Sequence, residues 1–184
     1  MKGRFIAIVG PSGVGKDSVM AAMTAHEPRL HLARRVITRP ASAGGEDFEG
    51  VTEDNFHTRA AAGEFALSWA AHDLQYAIPA TVATQLENGQ DVLANLSRAM
   101  LPAAQQAFSS CVFICLTASR DVLATRLAAR GRETTAQITD RLNRSNTDLP
   151  PGITAHFIDN SGEISQAVQT ALELLYPIKT ARCN

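Results

Sequence analysis

The stretch GPSGVGKDS, residues Gly10–Ser18, decides how the rest of the chain is interpreted. It follows the apolar run FIAIV and precedes a segment of helical composition, so it lies between a strand and a helix. Its glycines allow a tight turn whose N–H groups face one anion, and Lys16 adds a full positive charge. The helix that begins near Lys16 adds the partial positive charge of its first turn. The spacing therefore predicts a phosphate-binding loop.

The residue after Lys16 departs from the usual pattern G-x-x-x-x-G-K-[ST], in which a hydroxyl contacts magnesium. Asp17 takes that position. One interpretation is that an acid in a first helical turn complements the helix dipole. The other is that a carboxylate beside phosphates requires a cation between them, and Mg²⁺ prefers oxygen ligands. We therefore predict that Asp17 acts on Mg²⁺, directly or through water, whereas Ser18 lies about 100° further round the helix.

A second departure lies in the segment DVLANLSRA. Enzymes with such a loop often place an Asp at the end of a neighbouring strand to hold the metal. This strand ends in Asn95, and Asp91 lies at its opposite end. We infer that the missing acid has been relocated to Asp17.

Length and composition indicate one α/β domain with a substantial core. The chain has 184 residues, 45% of them hydrophobic, and a formal net charge of −1, which does not favour a nucleic-acid partner. No apolar run approaches the roughly 18 residues of a membrane span, so we expect no membrane partner and a cytoplasmic location. Cys111 and Cys115 fall in the apolar run CVFICL and are predicted to be core residues. The oligomeric state is left open.

The periodicity of apolar residues alternates between strand and helix along the chain. Strands are predicted at residues 4–9, 30–37, 65–71, 75–78, 91–96, 111–116 and 155–158. Helices are predicted from about residue 16 and at 52–63, 79–89, 101–108, 120–130, 136–145 and 163–175.

This alternation predicts a mostly parallel sheet with helices on both faces, within a single domain of residues 1–184. The region from about 38 to 80 is less regular and is predicted to form a small acceptor-binding subdomain. Basic residues around Gly131, between two predicted helices, indicate a helical lid at about 128–146.

The segments GPSGVGKDS, ITRPASAGGEDF, DVLANLSRA and RGRE together resemble the guanylate-kinase-like P-loop kinases, over roughly residues 4–175. The pieces GKDS, ITR followed by ASAG, ALSW and SRA are most similar to the ribose 1,5-bisphosphate phosphokinases of that family. The resemblance implies transfer of the γ-phosphoryl group of ATP to the 1-phosphate of ribose 1,5-bisphosphate, with Mg²⁺ as cofactor. The implied products are 5-phosphoribosyl 1-diphosphate (PRPP) and ADP, in phosphonate breakdown.

The residues that read guanine in true guanylate kinases are replaced here. Ser68 stands where FLExA has its Glu, LQYAIP keeps only Tyr76 of GNYYGT, and Ser97 replaces a later acid. Burying guanine without these acceptors costs about 1–3 kcal/mol for each unpaired donor. A sugar bisphosphate instead needs cations and hydroxyls, which Arg39, Arg98, Ser68 and Ser97 supply.

The resemblance also assigns roles to further residues. The predicted catalytic residues are Lys16, Arg130, Arg132 and Arg141, the last three from the lid. The predicted ATP-binding residues are Gly10, Pro11, Ser12, Gly13, Val14, Gly15, Lys16, Asp17, Ser18 and Asn160, with Asp17 also the metal ligand. The predicted substrate-binding residues are Arg39, Glu46, Ser68, Tyr76, Ser97 and Arg98.

The sequence leaves alternatives open for one arginine pair and for the function. Strand alternation places only one of Arg34 and Arg35 on the site face, without saying which. His57 and His72 have no evident partner and are interpreted as surface or structural residues. Two other functions compete with the first: a nucleoside-monophosphate kinase of altered specificity, and a non-catalytic guanylate-kinase-like binding module.

Overall fold

The computed structural model describes residues 2–40, 47–129, 131, 134–143 and 148–177, with the backbone but not the side chains of Thr135 and Arg141. The strands are β1 Phe5–Val9, β2 Leu30–Leu32, β3 Arg35–Ile37, β4 Phe48–Gly50, β5 Phe65–Ala71, β6 Leu74–Pro79, β7 Asp91–Asn95, β8 Cys111–Thr117 and β9 His156–Asp159. The helices are α1 Lys16–His26, α2 Glu53–Ala61, α3 Thr81–Glu87, α4 Leu101–Ala107, α5 Arg120–Ala129, α6 Thr135–Asn143 and α7 Ile164–Leu175.

The main sheet has five parallel strands in the order β2-β7-β1-β8-β9. Its central strand β1 is buried along its whole length, because helices cover both faces of the sheet. Phe5, Ala7 and Val9 pack towards α3 and α4, while Ile6 and Ile8 pack towards α1, α5 and α7. This arrangement confirms the predicted α/β fold with a mostly parallel sheet.

A second, four-stranded sheet is built from residues 35–79 in the order β4-β3-β6-β5. Strands β5 and β6 form an antiparallel hairpin, and β3 pairs with β6 on one side and β4 on the other. Leu67 of β5 and Ile78 of β6 belong to the same apolar cluster as Phe5 and Val92 of the main sheet. The two sheets are therefore joined through a shared core.

The single strand predicted at residues 30–37 is wrong, because this run serves both sheets. β2 pairs with β7 of the main sheet, whereas β3 pairs with β4 and β6 of the second. The amide of Ala33, between them, donates to the carbonyl of Leu93. Apolar periodicity reports burial on a face and carries no information about which sheet buries it.

Two other local predictions also need correction. Pro79 does not open a helix: it ends β6, paired with Phe65, and α3 begins at Thr81. Strand β4 was not predicted, because it lies in a stretch rich in Gly and acidic residues. By contrast, the helix predicted at 52–63 is present as α2, and its cap Thr52 accepts a hydrogen bond from the amide of Asn55 at 3.3 Å.

The amino end of the main sheet is fastened by a polar cluster around Asp91. Its carboxylate accepts hydrogen bonds from the Arg4 amide at 2.7 Å, Arg4 Nη2 at 2.6 Å and the Tyr176 hydroxyl at 2.7 Å. Burial alone favours the protonated acid, but the bonds from Arg4 and Tyr176 outweigh it and lower the pKa of Asp91. Arg4 Nη1 also donates to the carbonyl of Leu175, so the cluster ties β1 and β7 to the end of α7.

The cysteines of β8 have the properties of core residues. Cys115 is fully buried and Cys111 partly so. Burial raises the pKa of the Cys111 thiol to about 11 and that of Cys115 above its usual range. The core prediction is confirmed for Cys115, and neither thiol is poised as a nucleophile.

Candidate active site

A cavity of approximately 690 Å³ opens at the carboxyl ends of β1 and β7, between the glycine loop, the second sheet and α6. In open parallel sheets this edge is the usual position for ligands. The cavity is lined by Gly10, Pro11, Ser12, Lys16, Arg35, Trp69, Ala71, His72, Tyr76, Asn95, Leu96, Ser97, Arg98, Gln137 and Asp140. Both the loop and the region predicted to bind the acceptor therefore face one space.

The glycine loop depends on backbone geometry that other residues resist. Gly10 has a φ of 149°, and a β-carbon there would lie 2.5 Å from the carbonyl oxygen of Leu116. Gly15 caps α1 with a φ of 93°, and a β-carbon there would lie 2.9 Å from Asn160 Nδ2. A side chain at either position would force the loop away from its support.

Asn160 and Arg126 support the loop from the side of the core. Asn160, only 3% exposed, donates its amide Nδ2 to the carbonyl of Val14 at 2.7 Å. Arg126 Nη1 donates to the same carbonyl at 3.3 Å and to the carbonyl of Asn160 at 2.8 Å. The structure thus gives Asn160 a bracing role, and its contact with ATP stays a prediction.

Lys16 lies across the mouth of the loop. Its ammonium donates to the carbonyl oxygens of Gly10 at 2.9 Å and Pro11 at 3.2 Å. Phosphate oxygens carry full charge and are stronger acceptors than these carbonyls. The contact of Lys16 with the phosphates of a nucleotide stays a prediction.

The two departures noted in the sequence meet in space. Asn95 Nδ2 donates to Asp17 Oδ1 at 2.8 Å, although the residues are 78 positions apart. Asn95 is 7% exposed, so it presents its amide from a fixed position at the end of β7. The carboxylate of Asp17 is thereby oriented beside the phosphate loop.

This corner fits a magnesium ion that arrives with phosphates. Within the described parts of the chain, no group of three or more His, Cys, Asp or Glu residues is arranged to hold a metal on its own. Mg²⁺ commonly takes only one or two carboxylates, with water and substrate phosphates completing its shell. Asp17 meets that requirement, and its role as metal ligand stays a prediction.

The wall opposite the loop is formed by stacked side chains of the second sheet. Trp69 and Tyr76 are cross-strand partners whose rings lie 5.4 Å apart at an angle of 11°. The guanidinium of Arg35 lies 5.3 Å from the centre of the Tyr76 ring. Arg35 is the site-facing member of the pair left open above, because Arg34 is exposed and bonded to Asp47.

The predicted substrate-binding residues are only partly brought together. Tyr76, Ser97 and Arg98 line the cavity. Ser68 lies on the exposed face of β5, since alternation along the strand turns it away from Leu67 and Trp69. Arg39 stacks over the Phe48 ring at 4.2 Å and does not line the cavity. The roles of Ser68 and Arg39 stay predictions, as do those of the three residues in the cavity.

Several cavity residues have no site role predicted from the sequence, among them His72, Gln137 and Asp140. His72, interpreted above as a surface or structural residue, lines the cavity in the left-handed turn between β5 and β6, where His72 and Asp73 have φ values of 53° and 59°. Gln137 and Asp140 reach it from one face of α6. No signal in the sequence marks them, because their position depends on how the hairpin and α6 fold over the loop.

Several predicted residues lie outside the described residues. They are Arg130, Arg132 and Glu46, together with the side chain of Arg141. Their assignment to the lid and the acceptor site stays a prediction.

Comparison with known families agrees with this architecture. The family model for guanylate kinase matches residues 2–169. Among solved structures, a guanylate kinase from Anaplasma phagocytophilum has a TM-score of 0.66 at 16% identity, covering 99% of this chain and 89% of its own. At that identity the likeness shows the fold alone. None of the described helices is long and apolar enough to cross a membrane.

Relatives of higher sequence identity show to which group within the guanylate kinase family this chain belongs. A protein of Ruegeria sp. (strain TM1040) is 47% identical over 175 residues, or 95% of this chain and 92% of the relative. One of Agrobacterium fabrum (strain C58 / ATCC 33970) is 45% identical over 173 residues, or 92% and 94%. Both are named ribose 1,5-bisphosphate phosphokinase. The chain is therefore a kinase of the guanylate kinase family and belongs, within it, with the ribose 1,5-bisphosphate phosphokinases.

Proposed function

We propose that this protein transfers the γ-phosphoryl group of ATP to the 1-phosphate of ribose 1,5-bisphosphate, giving PRPP and ADP. The observation that carries the proposal is the single cavity that joins the phosphate loop to the second sheet and contains Lys16, Arg35 and Arg98. Three cations suit an acceptor that is itself anionic at both ends. The names of relatives at 45–47% identity support the same substrate.

The chemistry asks for positioning and charge. An oxygen of the acceptor 1-phosphate forms a bond to the γ-phosphorus while the bond from that phosphorus to the β,γ-bridging oxygen breaks, and ADP leaves. The attacking oxygen is already ionised at neutral pH, so no side chain has to remove a proton. The protein contributes by aligning the two anions and balancing their repulsion.

Among the described residues, the charges that balance this repulsion come from the phosphate loop and from the end of β7. Lys16 moves from the carbonyls of Gly10 and Pro11 to the outer phosphates of ATP, and Arg98 faces the same cavity from the turn after β7. Asp17, oriented by Asn95, would hold Mg²⁺ at this corner. When bound, Mg²⁺ neutralises charge on the phosphate oxygens.

The proposed function also includes the lid arginines, the cellular location and the partners. We propose that Arg130, Arg132 and Arg141 close over ATP from the lid, and that the protein acts in the cytoplasm on a small sugar phosphate without nucleic-acid or membrane partners. Release of PRPP would link phosphonate breakdown to nucleotide synthesis.

A substrate panel tests the proposal. ADP release is measured with ATP and Mg²⁺ against ribose 1,5-bisphosphate, GMP and other nucleoside monophosphates, and PRPP is identified as the product. We expect turnover with the sugar bisphosphate alone. Robust turnover of GMP without the sugar would replace the proposal by the nucleoside-monophosphate kinase, and failure to bind ATP in titration calorimetry would support the non-catalytic module.

A further inference from the structure

The cavity wall contains a buried arginine that the resemblance does not assign. Arg35, in the first position of β3, is 8% exposed, yet it lines the cavity together with Lys16 of the phosphate loop. Arg35 therefore faces the same space as the phosphate loop. Its position raises the question of what the guanidinium serves.

Two contacts fix the direction of this guanidinium. Its Nη1 donates to the carbonyl oxygen of Asn95 at 3.2 Å, and its Cζ lies over the Tyr76 ring, 5.3 Å from the ring centre. Tyr76 is itself held by stacking on Trp69. Together these contacts orient the guanidinium along the cavity wall.

The contact with Asn95 also sets the position of Arg35 relative to the donor site. The side chain of Asn95 orients Asp17 beside the phosphate loop, while its carbonyl oxygen receives Arg35 from the second sheet. One residue therefore links the corner where ATP phosphates bind to the wall that faces the acceptor. A guanidinium held there is preorganised for an anion brought against that wall, because its entropy of ordering has already been lost on folding.

We propose that Arg35 is an acceptor-binding residue that holds a phosphate group of the sugar bisphosphate, with Trp69 and Tyr76 as the stack that positions it. This inference rests on the proposed function. A planar guanidinium grips a phosphate through two parallel hydrogen bonds, which an ammonium cannot reproduce. The acceptor carries two phosphates, and the experiment separates them.

The neighbouring arginine provides a matched control. Arg34→Met removes the same charge one residue away, from an exposed side chain paired with Asp47. For Arg35→Met we expect the KM for ribose 1,5-bisphosphate to rise roughly 30- to 100-fold, and for Arg35→Lys about 10-fold. The KM for ATP should change less than three-fold in each, and Arg34→Met should match the wild type. Thermal unfolding verifies that each variant is folded.

Ribose 1-phosphate, which lacks the distal phosphate, identifies the group that is bound. If the KM of the Arg35 variants rises for both sugars, Arg35 contacts the 1-phosphate. If it rises for the bisphosphate alone, Arg35 contacts the 5-phosphate. An acceptor KM within two-fold of the wild type overturns the inference. Arg35→Lys keeps the charge and the stem, so it tests the same contact should Arg35→Met not fold.

The two proposals fail in different ways. Wild-type turnover of the sugar with an unchanged KM in the Arg35 variants rejects the role of Arg35 and leaves the function standing. Wild-type turnover of a nucleoside monophosphate alone rejects the function. The KM for that monophosphate then tests Arg35 in the same manner, since it too presents a phosphate.

Discussion

The two sides of the cavity are built in different ways. The phosphate loop is one continuous run, Gly10–Ser18, lying between β1 and α1 and braced by Asn160 and Arg126. The opposite wall combines a residue of β3 with cross-strand partners from the β5–β6 hairpin. The proposed donor site is therefore local in sequence, whereas the proposed acceptor site depends on how a second sheet packs.

This difference has a consequence for change of function. A loop that binds phosphates through its backbone keeps its geometry while its surroundings vary, because few side chains take part. A wall made of side chains from several strands can exchange one ligand for another by single substitutions. Arg35 and Tyr76 lie on that second wall.

The largest effect is expected at Lys16. Lys16→Met removes the full charge at the loop, and we expect kcat/KM for ATP to fall about 10³-fold, as when a preorganised electrostatic contact is lost. Coupled ADP release measures it. The control is Lys2→Met, at an exposed position near the amino end. Activity within ten-fold of the wild type would contradict the assignment of the loop as the donor site.

Asp17 comes next in expected size. Asp17→Asn keeps the shape of the side chain but removes the charge for Mg²⁺, so we expect turnover to fall about 100-fold, with half-maximal activity at a higher Mg²⁺ concentration. A matched control is Asp54→Asn, an exposed acid in the first turn of α2. An unchanged Mg²⁺ dependence would leave Asp17 only as a first-turn charge that complements the helix dipole.

A smaller effect is expected at Tyr76, on the acceptor side. Tyr76→Leu removes the ring beneath Arg35 and opposite Trp69, whereas Tyr76→Phe keeps it. We expect the acceptor KM to rise roughly 3- to 30-fold for Leu and to change less for Phe, from the loss of cation–π and stacking contacts. The KM for ATP should stay constant in both. Equal losses in Leu and Phe would indicate that the hydroxyl, not the ring, matters.

The smallest effect on activity is expected at Asp91, at the opposite end of the sheet. Asp91→Asn should lower the free energy of unfolding by about 1–3 kcal/mol at pH 7, by weakening bonds from Arg4 and Tyr176. The pKa of Asp91 is lowered in the folded state, so its contribution is present above the unfolded value and is lost as the pH falls through the folded one. The difference between variant and wild type should therefore shrink below about pH 4.

Urea unfolding at pH 7 and pH 3 measures the change in the free energy of unfolding, and ADP release at pH 7 measures the change in activity. Glu87→Gln, at an exposed position on α3, serves as the control. A large loss of turnover in a folded Asp91→Asn protein would contradict the separation between the two ends of the sheet.

Much of the main fold follows from local pattern. The buried run of β1 and the boundaries of α1 and α7 were predicted to within a residue or two, because burial on both faces and helical periodicity leave clear marks. In the second sheet, β5 and β6 were predicted to within a residue, whereas β3 and β4 were not. Its strand β4 lacks an apolar pattern, and β3 is continuous in composition with β2 although the two join different sheets.

The candidate site shows the same contrast between local patterns, which the sequence reveals, and long-range contacts, which it does not. Glycine spacing and Lys16 marked the loop, and the departures at Asp17 and Asn95 were both visible in the sequence. That they touch at 2.8 Å was not, nor that Asn95 also receives Arg35 through its carbonyl oxygen. Ser68 lies on the exposed face of β5, and its role in binding the acceptor stays a prediction.

The sequence by itself determined the phosphate loop, the α/β class and the family, because each depends on residues within a few positions of one another or on repeated periodicity. Tertiary structure alone decided which arginine of the pair enters the cavity, which partner orients Asp17, and that His72 faces the site. These contacts join residues separated by tens of positions, and their geometry is set by how two sheets share one core.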